Sequence, residues 1–233
     1  MNDTSALTVP RFRDRSRHAA PQVFEFLKDR IVSLELRPGT VLSRSELQES
    51  FGLSSTPIRD ALLKLQEEDL VEIFPQHATV VSPIDLAQAR HAQFLRRSIE
   101  LEVVRTLAQA PDPAILRRLQ DLIADQRRLA RINDLTGFVS VDQDFHRTMY
   151  EAAGVPDLWN LVRRHSGHID RLRRLHLPVT GKAKQIIDDH GAILDAIAQS
   201  EPERAQHHLR DHLSKSLAFS SEMRVRFPDY FRD

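Results

Sequence analysis

"FGLSSTPIRDALLKL", residues 51–65, is a polar knot that runs straight into an apolar helical repeat. Ile58, Ala61, Leu62 and Leu65 recur at the spacing of one helical face, which predicts a helix with a buried stripe. Ser54, Ser55, Thr56, Pro57 and Arg59 crowd its first turn. A helix start leaves backbone N–H groups unpaired and carries partial positive charge, so this end suits an anion. A neighbouring carboxylate, a metabolite or a DNA phosphate would each serve. Taken alone, the stretch is equally a capped helix with Arg59 solvated.

The flanking sequence narrows that choice. Residues 21–34, "PQVFEFLKDRIVSL", repeat Val23, Phe24, Leu27, Ile31 and Leu34 as a second helical stripe, and "LRPG" stops it. In "SRSELQESF", Ser43 and Glu46 have the reciprocal capping spacing, Leu47 and Phe51 bury the short helix, and Gly52 ends it. After Asp69 the period changes to two across "LVEIF" and again across "TVVSP", with "PQHA" as a tight hairpin between them. Three short helices followed by a two-stranded hairpin make a winged helix-turn-helix, whose third helix is offered to a DNA major groove. On that plan Thr56 and the helix-start N–H groups hold phosphate, beside Ser54 and Ser55. Arg59, one turn in, reaches phosphate or a guanine edge. Arg44 is placed for backbone contact, and His77 in the wing for a minor groove.

Composition sets outer bounds. The 233 residues are 41% apolar and 28% charged, enough for a real core. There is no cysteine, which excludes disulfides and thiol chemistry. No run approaches the roughly 20 apolar residues of a membrane span, and the first 20 residues lack a secretory apolar core. A cytoplasmic protein without a membrane partner is expected. Net charge is zero, with 33 basic and 33 acidic side chains. Any DNA contact must therefore be local and, through so small a surface, made by an oligomer. Residues 11–17 supply one local excess, four arginines against one aspartate.

From Pro83 onward the pattern is entirely helical. Six segments are expected, near 84–109, 112–132, 135–152, 156–176, 180–199 and 202–221, packed as a bundle. The predicted division is a flexible basic arm over 1–19, the winged helix over 20–82, the bundle over 83–222 and a tail over 223–233. "SPID", residues 82–85, is the junction. The bundle carries most of the 11 histidines. Asp142 and His146 are spaced i, i+4, so both emerge from one face of their helix. His190 and His212 each lie beside an apolar stripe. Three imidazoles and a carboxylate on three helices could converge on a divalent cation: zinc, nickel, cobalt or manganese. A histidine in such a place is ordinarily just hydrogen-bonded, and His165, His168, His207 and His208 offer competing choices. His168 is a candidate pocket residue. Arg96 forms an i, i+4 pair with Glu100 and is either a surface salt bridge or a cation for a carboxylate ligand near the metal.

Both halves together resemble the GntR family of bacterial transcription regulators, in the branch with the helical FCD effector domain. The N-terminal likeness is carried by "LRPGTVLSRSELQESFGLSSTPIRDALLKLQEEDLVEI", residues 36–73, with its Pro38–Gly39 turn, the run from Ser54 to Arg59, and Ala61–Leu62. The C-terminal likeness is carried by Asp142 and His146 in "DQDFH", then His190, then His212. The resemblance implies that these four hold a metal ion, zinc first. It further implies that Arg96 lies near the carboxylate of a small organic-acid effector, and that a homodimer binds double-stranded operator DNA, most relatives being repressors released by ligand. Six bundle helices correspond to the shorter form of the effector domain. Ser55 stands where the family usually has an arginine, Ala78 where the wing tip usually has glycine, and Val155 where asparagine is common. A metal-dependent enzyme and a pure metal sensor are the rival readings of the same cluster.

Overall fold

The computed structural model describes residues 17–74 and 78–232. His77 and nearly all of the basic arm lie outside those residues. The chain forms two compact units, one built from residues up to Asp85 with those from Phe227 onward, the other from Leu86–Arg226.

In the first unit, α1 (Ala19–Val32) buries Val23, Phe24, Leu27 and Ile31. Two turn residues later Leu34 adopts φ 66°, a left-handed conformation that ends the helix. β1 (Val41–Leu42) is followed by α2 (Arg44–Phe51), where the Ser43 hydroxyl accepts from the Glu46 N–H. Gly52, at φ 61°, supplies the left-handed stop that a side chain would strain. Ile58, Ala61, Leu62 and Leu65 of α3 (Ser55–Glu67) are all fully buried. They join the α1 stripe, Leu47, Leu70, Val71 and Val81 in one apolar core. β2 (Val71–Ile73) and β3 (Thr79–Val81) pair antiparallel, and the Phe74 N–H donates to Ala78 O at 2.8 Å to close the hairpin. The expected two-stranded wing is a three-stranded sheet of order β1-β3-β2, because Val41–Leu42 pairs with the free edge of β3. Past β3, Ile84 bridges in parallel to Phe231, so the C-terminal residues extend this unit.

The second unit is all helical: α4 (Leu86–Gln109), α5 (Pro113–Arg131), α6 (Leu135–Ala152), α7 (Pro156–His165), α8 (Gly167–His176), α9 (Lys182–Ala198), α10 (Pro202–Ser214) and α11 (Ser220–Arg226). Eight helices replace the six expected. The rod read over 156–176 breaks at Ser166, whose hydroxyl donates to Val162 O at 2.8 Å just before Gly167; Ser–Gly pairs are a common cause of sharp helix bends. The rod read over 202–221 loosens after Ser214 into short-range bonds such as Ser216 N–H to Leu213 O, and helix resumes at Ser220. Phe138, Phe145, Met149 and Tyr150 of α6 centre the core, with Val104 and Leu119 from α4 and α5 and Ile193 and Leu209 from α9 and α10.

Candidate functional site

Ser54, Ser55, Thr56 and Arg59 are all exposed along the leading end of α3, and Arg44 is exposed at the start of α2. Ser54 is the N-cap, yet its side chain makes no capping hydrogen bond, so the first-turn N–H groups are not closed off by a hydroxyl. Pro57 lacks an N–H and fits the first turn without loss. Arg59 has a single exposed contact, Nη2 to Asp60 Oδ1 at 3.4 Å. The helix therefore presents hydroxyls, open N–H donors and a long cation from one solvent face. His77, the remaining DNA-facing expectation, lies outside the described residues.

The bundle interior is organised quite differently. His146 of α6, His190 of α9 and His212 of α10 are buried, and a potential ligand atom from each lies within 4.8 Å of the others. Each ring has its Nδ1 turned to an outer partner. His146 Nδ1 lies 3.0 Å from Glu100 Oε2, a contact distance without hydrogen-bond alignment. His190 Nδ1 is 2.8 Å from Gln126 Oε1, and His212 Nδ1 is 3.3 Å from Asp189 Oδ2. This leaves Nε2 of each ring as the remaining donor atom, and Nε2 of His146 and of His190 are buried without a hydrogen-bond partner. Phe145 stacks on the His190 ring at 4.1 Å and fixes its plane.

Asp142 lies one turn before His146 and sits at the edge of this group. Its Oδ1 is buried, unbonded and 3.7 Å from His190 Nε2, while Oδ2 accepts from Arg173 Nη2 at 2.8 Å. Arg96 is buried on α4, and its Nε donates to Glu100 Oε1 at 2.6 Å. Of the two readings of that pair, surface bridge or interior cation, the burial selects the interior one. His168 is buried on α8 with Nδ1 3.0 Å from Arg171 Nη2, outside the three-imidazole group.

Electrostatics favour the ligand-ready forms. Burial first, then the Arg96 charge, pushes His146 down to about 4, and burial with neighbouring His212 pushes His190 well below its ordinary value. Burial also lowers His212. All three rings are thus neutral near pH 7, the form that donates to a metal. Burial alone would raise Glu100, but Arg96 and His146 outweigh it and hold the carboxyl down at about 2. Asp142 is likewise held ionised against burial, chiefly by Arg173. Neutral imidazoles with a carboxylate, orphaned donor atoms and oriented Nδ1 partners together fit a divalent ion. Glu100, Gln126 and Asp189 escape sequence reasoning as outer partners. Glu100 is visible only as the mate of Arg96, Asp189 only as the neighbour of His190, and Gln126 carries no signal at all.

A winged helix-turn-helix joined to a helical bundle with a buried donor cluster is the organisation of a DNA-binding transcription regulator. Residues 19–81 match the bacterial regulatory proteins of the gntR family, and residues 91–215 match the FCD domain. The chain belongs to the GntR family, with a C-terminal FCD domain, a family of transcription regulators rather than enzymes. An uncharacterised HTH-type transcriptional regulator from an unstable DNA locus of Streptomyces ambofaciens is 34% identical, over 88% of this chain and 86% of that protein. The HTH-type transcriptional repressor RspR of Escherichia coli K12 is 26% identical, over 91% of this chain and 93% of its own. Among solved structures, E. coli McbR/YncC superposes with a TM-score of 0.75 at 22% identity, covering 89% of this chain and 99% of that one. A GntR regulator from Rhodococcus sp. RHA1 gives 0.71 at 21%, covering 85% and 95%. Both share the fold. Among the described residues no helix is long and apolar enough to cross a membrane.

Proposed function

We propose that this regulator acts as a homodimer on a short pseudo-palindromic operator, repressing until a small organic acid binds beside a divalent metal ion in the bundle. His146, His190 and His212 hold the ion through Nε2, and Asp142 adds a carboxylate. Zinc suits this donor set best, with nickel, cobalt and manganese as alternatives. When bound, the ion supplies a Lewis-acidic anchor for the carboxylate of the effector. Arg96, with Nε engaged by Glu100, keeps its Nη donors for the same carboxylate. Both operator half-sites must be met at once, so a modest change in the spacing of two α3 helices removes much of the bivalent gain.

The observation that supports this most is the orientation of the three rings: Nδ1 of His190 and of His212 is hydrogen-bonded outward, Nδ1 of His146 faces Glu100, and each Nε2 is left over. Metal-ligating histidines are positioned in this way. The test is the metal content of full-length protein purified without chelator, alongside His190→Ala. We expect about one ion per chain in the parent and an affinity loss of more than ~100-fold in the variant. Equal metal content in both proteins would sink the site. Operator titrations with metal alone, then with metal plus organic acids, distinguish an acid sensor from a protein for which the ion is the whole signal.

A further inference from the structure

The two oxygens of Asp142 are engaged unequally. Oδ2 accepts from Arg173 Nη2 at 2.8 Å, while Oδ1 is buried, makes no hydrogen bond and lies 3.7 Å from His190 Nε2. The imidazoles and Asp142 come from α6, α9 and α10, whereas Arg173 belongs to α8. A fourth helix therefore sets how this carboxylate stands. Arg173 is itself steadied on its own helix: Nη1 lies 3.8 Å from Asp170 Oδ1, one turn earlier, and Asp170 Oδ2 lies 2.6 Å from Arg163 Nη1. Both members of the Arg173–Asp142 pair are largely withdrawn from water, with side chains 20% and 4% exposed. A charge-assisted bond of this length is strong there, since little water competes for either partner.

We infer that Arg173 is a positioning residue that keeps Asp142 a one-oxygen ligand, and so biases the site towards zinc and against manganese. This rests on the metal-binding reading above and narrows the choice of ion. A carboxylate can offer an ion one oxygen or both. Imidazoles with a single aspartate oxygen suit zinc, whereas manganese gains more from each further oxygen donor. An oxygen held against a guanidinium is withheld from a second cation, both by its occupied lone pair and by the positive charge behind it. Zinc and manganese carry the same charge. Loss of the Arg173 cation therefore shifts both affinities alike, as does any loosening of the bundle, and the ratio of the two isolates what Asp142 offers.

The experiment measures that ratio on full-length, metal-free protein, zinc by competition with a chelating dye and manganese through the paramagnetic resonance of the free ion. Arg173→Met should lower the preference for zinc over manganese by about tenfold or more, a size usual for outer partners of metal ligands. In an Asp142→Asn background, where the amide has a single oxygen, the same change should move the preference by less than about threefold. A preference unmoved by Arg173→Met, or moved equally in both backgrounds, overturns the role of Arg173 and leaves the metal site standing. A crystal structure of the zinc-loaded parent needs no variant. One Asp142 oxygen on the ion and the other on Arg173 is the expected result, and both oxygens on the ion overturn the inference. A parent that holds neither ion removes the metal-binding reading itself.

Discussion

The two units handle charge in opposite ways. Among the described residues of the winged helix the buried polar side chains are Thr79 and Ser82, and its core is otherwise aliphatic with Phe24. Arg44 and Arg59 stand on the surface, while Lys28 is part-buried in an ion pair with Glu68. The bundle buries Arg96, Glu100, Asp142, His146, His190 and His212 together. A duplex is too large to enter a domain, so its reader keeps charges outside, where phosphates come to them. A small ion or acid can be enclosed, and enclosure is what makes fixed charges selective. Buried ion pairs add little stability over well-packed apolar residues, so a core built this way gives up stability for a fixed arrangement of charges.

The sharpest way to break that contrast is to remove one buried partner. Glu100→Ala leaves Arg96 enclosed without its carboxylate, and the bundle should lose about 3–5 kcal/mol of unfolding free energy. Trp159 reports it, as the chain's single tryptophan and a ring neighbour of Tyr150 in the bundle. Asp60→Ala, which removes the exposed mate of Arg59, should leave the urea transition of the first unit where it was.

Acid titration of metal-free protein is the next test. An imidazole that folding holds below its unfolded value near 6.5 leaves the unfolded chain with more bound protons in between. Its stabilisation is complete above pH 6.5 and is lost as pH falls towards about 4 for His146. The slope is at most about 1.4 kcal/mol per pH unit for each such ring, and His190 and His212 shift in the same direction. Bundle stability flat between pH 7 and pH 4.5 would contradict the neutral, buried imidazoles.

Local pattern and long-range assembly were not equally legible. The stripe of α3, the period change after Asp69 and the i, i+4 pair of Asp142 with His146 depend on neighbours in sequence, and the structure has all three. Strand β1 is two residues long, too short to show an alternation, and owes its existence to the edge of β3. Ser166 interrupts a rod whose apolar period continues on both sides, so hydropathy could not reveal the break. The donor residues could be proposed because each lies beside an apolar stripe. Their orientation could not, since Gln126 and His190 are 64 residues apart and meet only when α5 packs on α9.

The smallest effect tests the outer half of the contrast. Arg59 lies 59% exposed with one weak contact, so Arg59→Ala removes an exposed cation from the start of α3 and almost no intramolecular support. Operator affinity should fall by about 1–3 kcal/mol if the guanidinium reads a base edge, with most of the loss seen against the preferred sequence. If Arg59 contacts phosphate alone, binding weakens evenly across sequences and the salt dependence flattens by about one counterion. Unfolding followed at Trp159, which belongs to the other unit, and zinc content should both match the parent. Unchanged operator affinity in the intact dimer would remove α3 as the reading helix, because Ser55 stands beside it without the charge to compensate.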